Sequence, residues 1–553
     1  MRFHGLALFL AGTMMLHGQD KAPGVEAAIP PPVKALGSPL PAPFPNGVTL
    51  AVSAATDGAQ REVIAGLNHL NGGWEFEASR HFAAALREDP ECLLAHWGMI
   101  VATLAPSPET GPARNVATDR LLDLVNRGVG TELERGYAYG LVKYMEGGPG
   151  AASEAFRKVA ERFPNDMQAT IFYALFTRGG YDALGSATPD QEKAEEILRG
   201  LIEKFPESPV PINALLTIRA EAPDLTDALP LARKLIQMAP SYAPYHHLLG
   251  HYEWRCGNHA KAASAFGRAS GLYAKWMREN NATVADCPEW VRSESYRTVA
   301  MASKGDFDTA FASAKRLAVT PFPKERLSSN GVHLLMWEAK TLPTRLLMRR
   351  GAEGMVPEAL AFLPTPEETR GFREKSLSYW WIDALRIFLD TQRLLEAGDV
   401  EQARATLKVL ERHIESMGQL QRTAKMLGEQ SSLSRSFYAV EGIARELRGR
   451  LALAGPPETR VTAYNWFRSA ADHQKPASLL MPPVILQPMA IRVGDFLMLE
   501  GKAGEAITAY DEALQAFPND MNALVGLEKA CEAAKLTERA AEVRKRIQAL
   551  QAE

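Results

Sequence analysis

Cysteine is scarce in this chain, with Cys92, Cys256, Cys287 and Cys531 the only four in 553 residues. A chain of that length can bury a core without covalent staples, so the count excludes a small disulfide-built scaffold. Cys256 and Cys287 alone lie near enough in sequence to bridge one structural unit to the next; otherwise the four read as small buried apolar residues. Charge of one sign is missing too. With 62 basic and 65 acidic residues the net charge is −3, and no like-charge block marks a nucleic-acid or anionic-membrane surface. No useful stretch alternates apolar and polar residues with the period of a β-strand. Phosphate loops of the form G-x-x-x-x-G-K-[ST], nucleophile elbows G-x-S-x-G, H-E-x-x-H and C-x-x-C are all absent. Gly128-Val129-Gly130 lacks the third glycine and the preceding strand of a dinucleotide loop. No catalytic residue is therefore assigned, and the question of an enzyme stays open.

Long apolar runs are confined to the start. Arg2 and the stretch Leu6 to Leu16 read as a secretory signal peptide over residues 1–19, too short to span a bilayer as an anchor. No cysteine follows it, which argues against a lipoprotein. Residues 20–55 form a proline-rich linker in which Pro30, Pro31, Pro32, Pro39, Pro41, Pro43 and Pro45 favour an extended spacer. Nothing later is apolar enough to cross a membrane, so the expected mature protein is periplasmic or secreted, with no transmembrane anchor.

What is present is a comb of small and large residues. Gly66, Ala78, Phe82, Ala85 and Pro90 return as Gly140, Ala152, Phe156 and Pro164, and again as Gly494, Ala506, Tyr510, Ala513 and Pro518. Gly250, Gly257, Ala262, Phe266 and Ala269 repeat it without the proline. Small residues let two helices approach, the aromatic fills the gap, and proline stops the second helix because it has no amide hydrogen. This is the signature of the tetratricopeptide repeat, a helix pair of about 34 residues. Weaker units surround Ala194, Ala228, Gly305, Gly398 and Ala463. One pair cannot bury its apolar face alone, so pairs must stack. The expected fold is all-α, a right-handed superhelix or α-solenoid. An N-terminal array spans 56–320, an irregular insertion 321–380, and a C-terminal array with capping helices 381–553.

The collinear stretches GLNHLNGGWEFEASRHFAAALREDPECLLAHWG, YAPYHHLLGHYEWRCGNHAKAASAFGRAS and AIRVGDFLMLEGKAGEAITAYDEALQAFPNDMNAL resemble a group of exported bacterial tetratricopeptide-repeat proteins. The resemblance covers most of residues 55–545. It implies the fold and export, and no common biochemical activity.

One cluster could carry chemistry. His246, His247, His251, Cys256 and His259 stand close together, and His247 and His251, four apart, share a helix face. With Gly250 as the eighth position of its repeat, both face the concave groove. That spacing suits two ligands of zinc or copper, with a third from Glu253, Cys287 or a neighbouring repeat. The resembling group often reads H-M-P-S-H here, matching His247 and His251. It often carries a second histidine pair one helix pair earlier, where this chain has Pro211 to Leu215 and no histidine. The other reading makes the two histidines polar groove contacts, His246 a core residue and His259 a solvated turn residue. Among aromatics, Tyr137, Tyr144 and Trp254 are candidate groove contacts, whereas Trp380 and Trp381 read as packing residues.

The reading favoured at this level is an exported scaffold that binds a protein or peptide partner on its concave face and has no catalysis and no cofactor. The alternative is a metal-binding protein or metal-dependent enzyme using His247 and His251.

Overall fold

Thr56 starts the first long helix, Asp57–Asn71, by accepting a hydrogen bond from the Ala59 amide at 3.0 Å. The same device recurs at Thr131, where a full capping box with Glu134 opens helix Glu132–Arg162, and at Asp166, Thr188 and Ser208. The computed structural model describes residues 24–40 and 46–552 except 106, 183–184, 352–353, 373–376, 424–426, 475–476 and 481, with side chains described except at 377 and 427–435. The stretch read as a signal peptide, and Pro41, Pro43 and Pro45 of the proline-rich stretch, lie outside the described residues.

Outside residues 321–380, consecutive helices pack against one another from Asp57 to Ala552, and the only β-pairings among the described residues are isolated bridges. The chain is an all-α solenoid of helix pairs. The comb explains how the pairs close. A Cβ built on Gly66 would lie 2.6 Å from the Phe82 ring, on Gly140 2.5 Å from Phe156, on Gly250 2.7 Å from Phe266, and on Gly494 2.7 Å from Tyr510. Each of these aromatics is buried, which stabilises by roughly 1.5–3 kcal/mol per side chain. The glycine of the following pair presses on the same ring: Gly98 would place a Cβ 2.3 Å from Phe82, and Gly526 2.3 Å from Tyr510. Helix Glu132–Arg162 is in fact two, broken where Gly148 takes φ 72° before Pro149.

Between 321 and 380 the hairpin frame lapses into a 3₁₀ turn Lys324–Arg326, a short helix Asn330–Leu334 and a π-turn Leu335–Ala339. Three further helices follow, Leu342–Arg350, Val356–Ala361 and Pro366–Thr369. Glu338 on the π-turn pairs with Arg345 at 2.6 Å, both buried. Trp381, at the start of the long helix Leu377–Glu396, stacks on Trp337 with centroids 5.1 Å apart, and Trp380 packs edge-on to His413. Both tryptophans are packing residues.

The proline-rich segment is not a free spacer. Pro31–Leu36 forms a helical turn, with prolines at its start where no amide donor is needed. Ile29, Val33, Val48, Leu50 and Val52 are buried in the N-terminal core. Among its polar contacts, three of the strap's amides are held: the Val48 amide by Asn68 Oδ1 at 2.8 Å, the Ser53 amide by Glu134 at 2.8 Å, and the Ala55 amide by Asp89 at 2.7 Å. The alternating Val48, Leu50 and Val52 supplied the apolar face that the prolines concealed.

The array also curls tightly on itself. The turn after the first helix enters the concave side, where Trp74 meets Tyr273 and Trp276 edge-on at 5.1 and 5.3 Å. Nearby, Asn213 donates to the Asn71 carbonyl at 2.6 Å, and Arg80 reaches Asn280 at 2.8 Å.

Candidate functional site

The inner helices Met167–Thr177, Pro209–Arg219, Ala243–Arg255 and Pro288–Lys304, with the turn at residues 70–75, surround a cavity of about 1530 Å³, closed on its far side by residues around Leu479 and Phe517. Polar and apolar groups share its wall.

His247 stands in that wall, itself buried. Its Nε2 donates to the Leu479 carbonyl at 2.8 Å, and its Nδ1 faces the Ser293 hydroxyl at 3.0 Å. His251 is fully buried behind the wall, its Nε2 donating to the Ala220 carbonyl at 2.8 Å and its Nδ1 facing the Tyr296 hydroxyl at 3.3 Å. Burial pushes the two imidazoles down to about 4 and about 3, so both are neutral at physiological pH. Each of the four ring nitrogens has a polar atom within 3.3 Å. Glu253, a candidate third ligand, is paired with Arg233 at 2.8 Å, and Cys287 is a buried thiol held protonated by its apolar surroundings. Among the described residues no three metal-ligating side chains gather. Cys256 and Cys287 carry free thiols and do not form the bridge that their spacing allowed.

The other candidates separate. Tyr137 is fully buried, its hydroxyl donating to Asp166, and it contacts Trp97, Phe156 and Phe172. It belongs to the core, because the pairs turn that helix face toward their neighbours. Tyr144 is half-buried against Phe176, 5.3 Å away, and does not line the cavity. Trp254 is buried between the arrays, with Nε1 donating to Ser303 at 3.3 Å and its ring against Tyr296 and Phe517. His246 packs in the core and donates to the Pro240 carbonyl at 2.8 Å. His259, expected in solvent, is 3 % exposed, because the turn at Pro518 and Asn519 folds back over it.

Two features escaped the sequence. The first is that the chain lays its own segment on the concave side. Tyr296 donates to the Ser478 carbonyl, Arg345 to Val484 at 3.2 Å, Arg349 to Leu486 at 2.6 Å, and Gln474 to Gln487 at 3.1 Å. With His247 on Leu479, five side chains hold this irregular stretch by its backbone carbonyls. The only local signal was Pro482-Pro483 breaking the comb. The second is the carboxylate pair Glu75 and Glu289. Glu289 is 93 % buried, and its Oε2 has no hydrogen-bond partner. Burial pushes this carboxyl up to about 7 against the pull of Arg292, with the charge of Glu75 adding to the rise. Glu75 is exposed in the same cavity, and the protein that walls it raises its carboxyl. An acid early in a helix satisfies the helix dipole, so nothing in the sequence distinguishes Glu289 from an ordinary helix start.

No protein-family model matches the chain, and no curated protein matches it. Among solved structures it is similar to the tetratricopeptide-repeat domain of P58(IPK), at 14 % identity and a TM-score of 0.21 over 87 % of this chain and 99 % of that one. Human IFIT1, in a dimer with m7Gppp-AAAA, aligns at 13 % identity and a TM-score of 0.36 over 91 % and 96 %. Yeast Tom70 aligns at 14 % and 0.27 over 89 % and 93 %.

Proposed function

We propose that the chain is an exported scaffold that binds an extended segment of a protein partner in its concave cavity, with no catalysis of its own. The observation that carries this reading is the grip on residues 478–487. His247 and Tyr296 of the inner helices, with Arg345 and Arg349 of helix Leu342–Arg350 and the adjacent Gln474, already hold an irregular stretch of polypeptide through its carbonyls, whatever its side chains, and the cavity lies beside it. A volume of about 1530 Å³ exceeds the roughly 300–1,000 Å³ of small-molecule pockets, which favours a polypeptide segment over a metabolite. Export rests on Arg2 and the apolar stretch Leu6 to Leu16. Among the described residues no helix is long and apolar enough to cross a membrane.

A photo-cross-linking residue at Thr217, which lines the cavity, tests the binding face against one at Val461, which is exposed on the C-terminal array. The expected result is a discrete polypeptide adduct at position 217 and none at 461. Adducts at neither position, or equally at both, overturn the concave-face reading. The N-terminal residue of the mature protein, read by mass spectrometry, tests export separately.

A further inference from the structure

Four other buried carboxylates near the cavity and the insertion each have a cation within 2.8 Å, although Oε2 of Glu338 is itself without a partner. Glu253 has Arg233 at 2.8 Å, Glu338 has Arg345 at 2.6 Å, Glu446 has Arg450 at 2.6 Å, and Asp520 has Arg349 at 2.7 Å. Glu289 departs from this pattern. Its one cation, Arg292, stands 3.5 Å from Oε1, beyond the ~2.7–2.9 Å of a charge-assisted bond, and its Oε2 is left unpartnered in the wall. A buried carboxylate oxygen without a donor costs free energy that a ligand can return.

The charge of the wall points the same way. Seven carboxylates line the cavity against three arginines and no lysine. Asp472 and Glu512 are held by Arg468 from outside the wall, and the carboxylates that remain still exceed the arginines. Such an excess, walled by protein, concentrates cations. Tyr273, buried beside Glu289, supplies an aromatic ring in the same wall; ammonium and guanidinium groups are attracted to such rings. A calcium ion would need six to eight oxygen ligands, and no metal-ligating trio exists among the described residues.

We infer that Glu289 and Glu75 form a subsite for an organic cation, the ammonium or guanidinium group of a lysine or arginine side chain on the partner segment. The inference rests on the concave-face reading and adds the chemistry of what is bound there. The cation displaces the packing over the buried, unpartnered Oε2 of Glu289 and donates to it, Glu75 balances its charge, and Arg292 remains with Oε1.

The test uses the full chain at pH 8 and isothermal titration with two capped pentapeptides, Ala-Ala-Lys-Ala-Ala and the same sequence with norleucine for lysine. Thermal shift with n-butylammonium chloride and with calcium chloride runs alongside. Tighter binding of the lysine peptide by tenfold or more, falling to within about twofold in Glu289→Gln, is the expected result. Equal binding of both peptides by the wild type overturns the cation subsite and leaves the concave-face reading standing. A butylammonium shift that Glu289→Gln abolishes, with neither peptide bound, keeps the subsite and overturns the polypeptide reading. No response to either peptide or to butylammonium overturns the subsite, as does a larger shift with calcium than with butylammonium. Should Glu289→Gln fail to fold, Glu75→Gln carries the same comparison.

Discussion

The Asn519 side chain donates to the Gly257 carbonyl at 3.0 Å across 262 residues of sequence. Both residues are left-handed, Gly257 with φ 77° and Asn519 with φ 61°, so two tight turns meet tip to tip. A Cβ on Gly257 would lie 2.9 Å from the Asn519 amide nitrogen and 3.0 Å from the Pro518 carbonyl oxygen. That fit seats the C-terminal array on the middle of the N-terminal one and covers His259. The solenoid therefore has contacts that skip over its neighbours, which a linear repeat array lacks.

Where the comb packs, a single methyl is decisive. Gly98→Ala drives a Cβ to within 2.3 Å of the Phe82 ring, and overpacking of a filled core costs about 1–3 kcal/mol. Chemical denaturation is expected to show a loss in that range. Phe82→Leu introduced together with Gly98→Ala is expected to be less destabilising than the sum of the two singles, since the second change opens the space that the first needs.

Arg349 joins three parts of the chain: Nη1 donates to the Leu486 carbonyl at 2.6 Å, and Nη2 meets Asp520 at 2.7 Å, all buried. Arg349→Leu leaves Asp520 without its buried counter-charge, for an expected loss of about 3–5 kcal/mol. Adding Asp520→Asn should recover part of that loss. A double-mutant cycle by urea denaturation measures the coupling.

Glu289 gives a pH signature. Its folded carboxyl sits at about 7 against 4.5 for the free group, so between those values the native state holds a proton that the unfolded state has released. Wild-type stability relative to Glu289→Gln is therefore expected to be highest below pH 4.5, to fall as pH rises to 7, and to be flat above. The full difference is about 3–4 kcal/mol at most, from 1.36 kcal/mol per unit. Unfolding curves of both proteins from pH 4 to 8 check it, and parallel curves would remove the raised carboxyl.

The two central histidines act as hydrogen-bond donors. His251→Ala is expected to lower stability by about 3 kcal/mol, since it opens a hole and strands the Ala220 carbonyl. Metal analysis of the wild type beside His247→Ala, His251→Ala is expected to find the same zinc and copper content in both. One equivalent lost in the double variant would restore the metal reading.

The comb was legible because steric fit needs few residues: only glycine opposes Phe82, Phe156 or Phe266 at that distance, and the pairing is local. The cavity was illegible for the opposite reason. Glu75 and Glu289 come from pairs far apart in the chain, and Leu479 reaches His247 across 232 residues. Repeat register placed His247 and His251 on the inner side but could not show that the inner side was already occupied. Tyr137 and Trp254 were misjudged because a tight curl turns much of a groove into core. The strap at Val48, Leu50 and Val52 was hidden because prolines report where a helix cannot form and say nothing about what an extended chain packs against.

The bond from His247 to Leu479 also sets a clock on biosynthesis. At the roughly 5–20 residues per second of translation, the 232 residues between them take about 12–46 s to emerge. During that interval the N-terminal helix pairs are complete, yet the cradle built for residues 478–487 stands open, with the donors of His247 and Tyr296 meeting water. A nascent chain in that state carries an unfilled polypeptide groove, and whichever extended segment reaches it first, its own or another's, becomes its first occupant.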